Sequence, residues 1–443
     1  MNLTDTDPDL RSDKAGVIIP WTGPGHRPTP DRVNETNGLV EALGGGLAFL
    51  RPEQVRKPSP SHLLSGGLLE RLKRDVDASG VQLVVIDAAL SPIQQRNLER
   101  DLQVKVIDRT GLILEIFGLR ARTREGRLQV ELARLLYERS RLVRTWTHLE
   151  RQRGGSGFLG GPGETQLEAD KRMIDRQVSR LKRDLVEVRR TREVQRTGRR
   201  RRETPVVALV GYTNAGKSTL FNRLCGADVL ARDMPFATLD PTIRNLALPL
   251  GADIALVDTV GFITDLPTHL IDSFRATLEE TLEADLILHV RDRSSDSDAS
   301  QKSDVLAVLE ALSAGAGTML PPILEVWNKI DRLDPARRHQ LRLAARQQVE
   351  PPAIAVSAET GEGVPDLLAL IEDHFGQDQV ACSVTLHPAD GDLRAWLFAH
   401  ATIDAETFDE AGRGLVAARL SQKLLGRFRD QFPAAKIVVK TPV

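Results

Sequence analysis

Cysteine is scarce: Cys225 and Cys382 are the only two in 443 residues, and they lie far apart in the chain. Two isolated thiols build neither a disulfide framework nor a thiolate metal site. Both read as small buried apolar residues. An excess of one charge is also missing. The 60 Lys+Arg against 61 Asp+Glu leave a net charge of −1, so the chain taken whole gives no sign of a polyanionic partner. No stretch approaches the ~20 consecutive apolar residues of a membrane span, and Met1–Ser12 is polar and acidic, without the apolar region of a secretory signal. These absences predict a soluble, cytoplasmic protein with no stable membrane insertion, peripheral membrane association being left open. What the chain does have is apolar side chain, 41%, enough to build real cores over a length that predicts two to four domains.

Residues 1–14 are expected to form a disordered tail. Residues 15–120 read as a small N-terminal α/β domain. Short apolar runs occur at Gly16–Pro20 and Leu47–Leu50, a proline-rich loop at Pro52–Pro60, and buried strands at Leu83–Asp87 and Val104–Asp108 around a helical Ile93–Leu102. Strands alternating with helices predict a parallel sheet. Residues 121–202 differ: apolar residues at Leu128, Leu132, Leu135, Leu142, Trp146 and Leu149 follow a heptad stripe. The stripe resumes after a glycine-rich run, with Ile174, Val178, Leu181 and Leu185 among its members. Two striped helices joined by one loop predict an antiparallel helical hairpin arm. Its second helix is basic, with 14 Lys+Arg against 5 Asp+Glu over Ala169–Arg202, a net of +9. Residues 203–376 alternate buried strands with helices, as a doubly wound, mostly parallel sheet does. Residues 377–443 read as a small α+β domain. The fold class is therefore multidomain α/β.

The chemistry is concentrated in the third unit. Gly211-Tyr212-Thr213-Asn214-Ala215-Gly216-Lys217-Ser218 fits G-x-x-x-x-G-K-[ST], directly after a strand and before a helix. The glycines let backbone N–H groups converge on phosphate oxygens, and the helix start adds the positive end of its dipole. Lys217 can stand between β- and γ-phosphates, and the Ser218 hydroxyl can ligate Mg²⁺. Asp258-Thr259-Val260-Gly261 fits D-x-x-G: the carboxylate can hold Mg²⁺ through water, and the Gly261 N–H can meet the γ-phosphate. In the intervening Phe236-Ala237-Thr238-Leu239-Asp240-Pro241-Thr242, either Thr238 or Thr242 can complete the metal shell. Asn328-Lys329-Ile330-Asp331 fits N-K-x-D. The Asp331 carboxylate can accept from guanine N1–H and N2–H₂, a donor pair that adenine lacks. Ser357-Ala358-Glu359 fits the loop that backs the base. All five motifs in order, each at a strand end, predict a GTP-binding, GTP-hydrolysing domain with GDP as product.

The whole chain resembles the HflX family of ribosome-associated GTPases. The likeness rests on Gly154–Glu168 (G-G-S-G-F-L-G-G-P-G-E-T-Q-L-E) ahead of a basic helix and the phosphate loop. It rests also on the run from Asp108-Arg109-Thr110 through Arg122–Gly126 to Gln129–Leu132. The resemblance implies nucleotide contacts from Gly211–Ser218 and Phe236–Asp240, with Asp258–Gly261, Asn328–Asp331 and Ser357–Glu359 completing the site. It implies Ser218 and Thr238, rather than Thr242, on Mg²⁺, and Lys217, Thr238 and Gly261 as the catalytic set. Asn214 stands where some relatives help bind K⁺, or is a plain loop asparagine. Phe262 occupies the position where many GTPases carry a water-orienting glutamine, as is typical of the family. It predicts slow intrinsic hydrolysis, acceleration by a partner, and little effect of Phe262→Gln.

The +9 helix next to a glycine-rich tip bearing Phe158 and Leu159 suits insertion into folded RNA, with arginines on phosphates and the aromatic ring on splayed bases. The resemblance implies the large ribosomal subunit and its rRNA as partner, no DNA, and a role in dissociating or rescuing stalled ribosomes by a monomer. The alternatives are a ribosome-assembly GTPase, or an RNA-binding scaffold with a vestigial nucleotide site. Some members carry a lysine-containing glycine turn near the start of the N-terminal domain. The matching stretch here, Leu64–Leu68, has no lysine, which argues against an ATPase activity.

Overall fold

The computed structural model describes residues 14–23, 27–152, 162–200, 204–226, 235–236, 238–239, 241–249, 253–264, 281–376, 379–409 and 412–439. The expected tail lies outside them except for Lys14, which opens the first strand. Ala237, Asp240, Phe158 and Leu159 also lie outside.

The N-terminal domain runs β1 (Lys14–Trp21), α1 (Pro30–Leu43), β2 (Gly46–Gln54), α2 (Gly66–Ser79), β3 (Leu83–Ile86), α3 (Pro92–Leu102), β4 (Lys105–Asp108), α4 (Arg109–Arg120). Its four strands pair in the order β2-β1-β3-β4, all parallel. Side chains alternate between faces, as the pleat requires. Val17, Ile19, Leu83, Val85 and Ile107 enter one core, and Ile18, Val84, Ile86 and Val106 the other. Buried on both faces, these strands read as continuous apolar runs. Helix α3 starts where a capping box sits: Ser91 accepts from the Gln94 N–H, and the Gln94 side chain accepts from the Ser91 N–H. Helix α1 is less legible in the sequence because its buried residues, Thr36 and Leu39–Leu43 apart from Glu41, crowd into its C-terminal half. The Leu64–Leu68 stretch is the start of α2, with Ser65 as N-cap.

The arm consists of α5 (Arg124–Gln152) and α6 (Pro162–Arg200). The expected stripe forms their contact: Leu132, Leu135, Val178, Leu181 and Leu185 are buried together. The glycine-rich loop was expected to extend to Glu168. The backbone is already helical from Pro162, a residue whose fixed φ suits the first helical turn.

The third unit contains β5 (Val206–Gly211), α7 (Lys217–Cys225), β6 (Thr242–Ala247), β7 (Asp253–Asp258), β8 (Leu286–Asp292), α8 (Asp298–Ala316), β9 (Ile323–Asn328), α9 (Pro335–Gln347), β10 (Ala353–Ala355) and α10 (Val364–Gly376). The sheet order is β10-β9-β8-β5-β7-β6; β6 is antiparallel to β7 and the other pairs are parallel. Strand β5 is central, and successive connections leave it in opposite directions. A crevice therefore opens at the carboxyl ends of the strands, the usual ligand position in such sheets.

The C-terminal domain runs β11 (Gln379–Leu386), α11 (Gly391–His400), β12 (Thr402–Phe408), β13 (Gly414–Ser421), α12 (Gln422–Gln431), β14 (Lys436–Val439). Its antiparallel sheet, β12-β13-β11-β14, is a split β-α-β arrangement. Cys382 is buried in its core beside Leu397 and Phe428.

Candidate nucleotide site

The motif residues converge on a cavity of about 230 Å³ at the carboxyl end of β5. Backbone geometry explains the phosphate-loop glycines. Gly211 has φ 153° and a Cβ there would lie 2.2 Å from the Val290 carbonyl oxygen; Gly216 has φ 94° and a Cβ would lie 2.2 Å from the Asn328 amide. Only glycine fits either place. Thr213, Asn214, Gly216, Lys217 and Ser218 line the cavity. Ala215 is buried beneath it, its carbonyl accepting from Asn328 Nδ2 at 2.8 Å. The Tyr212 side chain points away, towards the N-terminal domain.

Lys217 is buried and donates to the carbonyls of Gly211 (3.0 Å) and Tyr212 (2.9 Å). Burial pushes its ammonium down to about 8, the Asp258 carboxylate resisting. Burial also raises Asp258, against the pull of Lys217 and the Ser218 and Thr238 hydroxyls. Both hydroxyls bond the same carboxylate oxygen, Asp258 Oδ2, each at 2.8 Å, and they lie 3.0 Å from one another. The second oxygen, Oδ1, is buried without a hydrogen-bond partner. An orphaned buried oxygen behind two hydroxyls is a donor set of the hard-oxygen kind that Mg²⁺ takes. Thr242 opens β6, where the antiparallel register sets it opposite Asp258 on β7.

Gly261 lies against the Gly211–Ser218 loop; a Cβ would come within 2.8 Å of the Thr213 methyl and 3.0 Å of Lys217 Nζ. Thr259 is spent internally, donating to the Leu209 carbonyl at 2.6 Å. Phe262 is 3% exposed and packs into the domain core. Its N–H donates to the Gly211 carbonyl at 3.2 Å and its carbonyl accepts from the Thr213 N–H at 2.6 Å. The position that elsewhere faces the γ-phosphate therefore points its side chain inward.

At the other end of the cavity, Asn328 joins three loops: besides its bond to Ala215, its Oδ1 accepts from the Ala358 N–H at 2.9 Å. Lys329, in the left-handed region at φ 63°, pairs with Asp292 at 2.8 Å. Asp331 lines the cavity and its Oδ1 is buried without a partner. Ile330 packs below, and the Ser357 hydroxyl accepts from the Thr360 N–H at 3.0 Å, while Ala358 and Glu359 line the cavity. Sequence reasoning missed Arg223 on α7, which donates to the carbonyls of Ala358 (3.2 Å) and Glu359. No motif marks it.

Sequence reasoning also missed where the two loops bearing Thr238 and Gly261 attach. Phe236, Leu239, Val260 and Ile263 are members of the N-terminal domain's core, together with Leu39, Ile113 and Phe117. Phe236 meets Phe117 edge-to-face at 4.6 Å and has φ 56°, a conformation that a bulky residue keeps only when its surroundings hold it. Next to this apolar contact, Glu35 of α1 accepts from the Tyr212 hydroxyl (2.6 Å) and from Thr264 Oγ1 (2.9 Å), and pairs with Arg109. Arg109 also pairs with Asp87 at 2.7 Å and donates to the Thr264 carbonyl at 2.9 Å. Burial works against the Arg109 charge, but the two carboxylates more than offset it.

Family models match along the chain: a GTP-binding GTPase N-terminal region over residues 30–118, a GTP-binding GTPase middle region over 120–199, a 50S ribosome-binding GTPase over 206–329 and an HflX C-terminal domain over 342–427. The GTPase HflX of Magnetococcus marinus is 46% identical over 377 residues, covering 85% of each chain. That of Escherichia coli is 43% identical over 402 residues, covering 91% of this chain and 92% of its own. The chain belongs to the HflX family of GTPases. As an HflX-family protein it binds GTP and hydrolyses it. A crystal structure titled as the SsGBP and GDP complex matches 82% of this HflX-family chain and 99% of its own, with 25% identity and a TM-score of 0.50. Among the described residues no helix is long and apolar enough to cross a membrane.

Proposed function

We propose that this GTPase binds the large ribosomal subunit in its GTP state, presents the α5–α6 arm to rRNA, and through GTP-dependent switching dissociates or rescues stalled ribosomes. The observation that carries the proposal is the seating of Phe236, Leu239, Val260 and Ile263 in the N-terminal core. Loops that sense the γ-phosphate are thereby continuous with the domain from which the arm projects, so a change in one must be felt by the other. The family match described as a 50S ribosome-binding GTPase supports the choice of partner.

In this reading the phosphate-loop N–H groups and Lys217 hold the β- and γ-phosphates, and Asp331 reads the guanine edge. The hydroxyls of Ser218 and Thr238, with Asp258 behind them, are the residues that would hold Mg²⁺, which would supply positive charge at the phosphates. Asn214, exposed at the rim, is the residue on which a K⁺ requirement would depend. Water attacks the γ-phosphorus and the bond to GDP breaks. Because Phe262 faces inward, another group must orient this water, and a partner that accelerates hydrolysis is expected to make that group effective. Pelleting with large subunits tests the switch: a non-hydrolysable GTP analogue should give strong, salt-sensitive binding and GDP weak binding. Equal binding with both nucleotides would refute it.

A further inference from the structure

We infer that Arg338, in α9 and outside every nucleotide motif, is a positioning residue that sets guanine selectivity by fixing Asp331, with Glu362 as its anchor. The inference rests on the reading of Asp331 as the acceptor for guanine. The turn Ile330–Arg332 that carries Asp331 follows a left-handed residue, Lys329, and leaves the sheet, so no strand ladder fixes it. The turn's own backbone bonds and buried Ile330 hold one side of it, and one guanidinium braces its carbonyls. Arg338 Nε donates to the Ile330 carbonyl at 3.0 Å, and Nη2 to the carbonyls of Asp331 at 3.1 Å and Leu333 at 3.4 Å.

The other side of the guanidinium, Nη1, meets the Glu362 carboxylate at 3.4 Å. Glu362 belongs to the base-backing loop: its own carbonyl accepts from the Ser357 N–H at 2.8 Å. It also pairs with Arg342. Arg338 and Glu362 thus tie the Asp331 turn to the Ser357–Glu359 loop, and these are the two segments between which a base would lie. The rigid planar fork suits this task; a lysine ammonium could not reach all three carbonyls and the carboxylate together.

A carboxylate that accepts from two neighbouring N–H groups needs its plane aligned with the base, whereas one bond tolerates a tilt. Guanine offers N1–H and N2–H₂; hypoxanthine offers only N1–H. Loss of Arg338 therefore acts mainly on the second bond. Arg338 is partly exposed, so the effect is moderate. Arg338→Ala should weaken GDP binding by about three- to tenfold and IDP binding less, so that the GDP/IDP preference shrinks. KM for GTP should rise by more than kcat falls, and Arg338→Lys should lie between. Glu362→Gln, which keeps the guanidinium but loosens its anchor, should shift the preference the same way by less, and it serves if Arg338→Ala does not fold. Asp331→Asn is the control. If it leaves the GDP/IDP preference intact, the reading of Asp331 fails. If it removes the preference while the folded Arg338 and Glu362 variants weaken GDP and IDP equally, or neither, the inference is overturned.

Discussion

The Tyr212 hydroxyl, within the phosphate loop, donates to Glu35 Oε2 at 2.6 Å across 177 positions of sequence. Burial first, and the Glu35 charge second, raise the tyrosine far above its usual range, so it stays a neutral donor at any physiological pH. Glu35 thus joins the phosphate loop, Thr264 and Arg109 in one buried network.

Removal of Glu35 should be costly. Glu35→Ala leaves Arg109 buried with only Asp87 as a charged partner, and leaves the Tyr212 and Thr264 hydroxyls to bond each other without the carboxylate. Breaking a buried pair in this way costs roughly 3–5 kcal/mol. A denaturant titration should show that loss, with Glu35→Gln losing less because the amide oxygen still accepts from Tyr212. A Glu35→Ala midpoint equal to wild type would contradict the network.

Phe262→Gln should leave turnover little changed, as the sequence suggests, but should cost stability. The side chain is 3% exposed in the domain core, and a glutamine there would bury an amide. The expected cost is on the order of 3 kcal/mol, with no gain in intrinsic turnover. Phe262→Leu should keep ribosome-stimulated hydrolysis close to wild type while lowering the melting temperature. A faster intrinsic rate in Phe262→Gln would show that this position can reach the phosphate.

Nucleotide affinity should fall on the alkaline side. Lys217 titrates near 8 in the free protein, below its ordinary 10.5, because its charge is buried. Phosphate binding needs the protonated form. Between pH 7 and 9 that form falls from about nine-tenths to about one-tenth, so GDP affinity should weaken roughly tenfold. Stability of the free protein moves the other way: between pH 8 and 10.5 the unfolded chain holds the extra proton, so this group's contribution becomes more favourable as pH rises. Titration with a fluorescent GDP at several pH values checks the first effect. A flat profile would place the Lys217 pKa well above 8.

Acid should destabilise the third unit through His289. Its ring is 2% exposed, and burial, opposed by Glu325, pushes it down to about 4 from 6.5. Between these values the unfolded chain binds the proton and the folded one does not, so stability falls as pH drops from 6.5 to 4. The shift corresponds to roughly 3 kcal/mol. His289→Phe should flatten this limb of a stability–pH curve.

The five motifs were legible because each is a short run of fixed spacing, and the structure brings the five runs to one cavity and its floor. The aliphatic runs of β3 and β4 and the heptad stripe of the arm were legible for the same local reason: period reports burial. What escaped depends on separation along the chain. Glu35, Arg109 and Thr264 share one network, yet nothing local marks any of them as paired. Phe236 and Val260 read as loop residues in a nucleotide motif, and only the folded chain shows them in another domain's core. Strands β12 and β13 were missed because exposed Phe408 and Leu415 blur the alternation that a half-buried sheet normally shows.

The shared core has a consequence for how the protein can be taken apart. Phe236, Leu239, Val260 and Ile263 are supplied by one unit and covered by the other, so a cut between them leaves apolar surface on both halves. Neither half should behave as a free-standing module. Chimaeras made by exchanging one half between relatives should succeed only when both sides of this seam travel together.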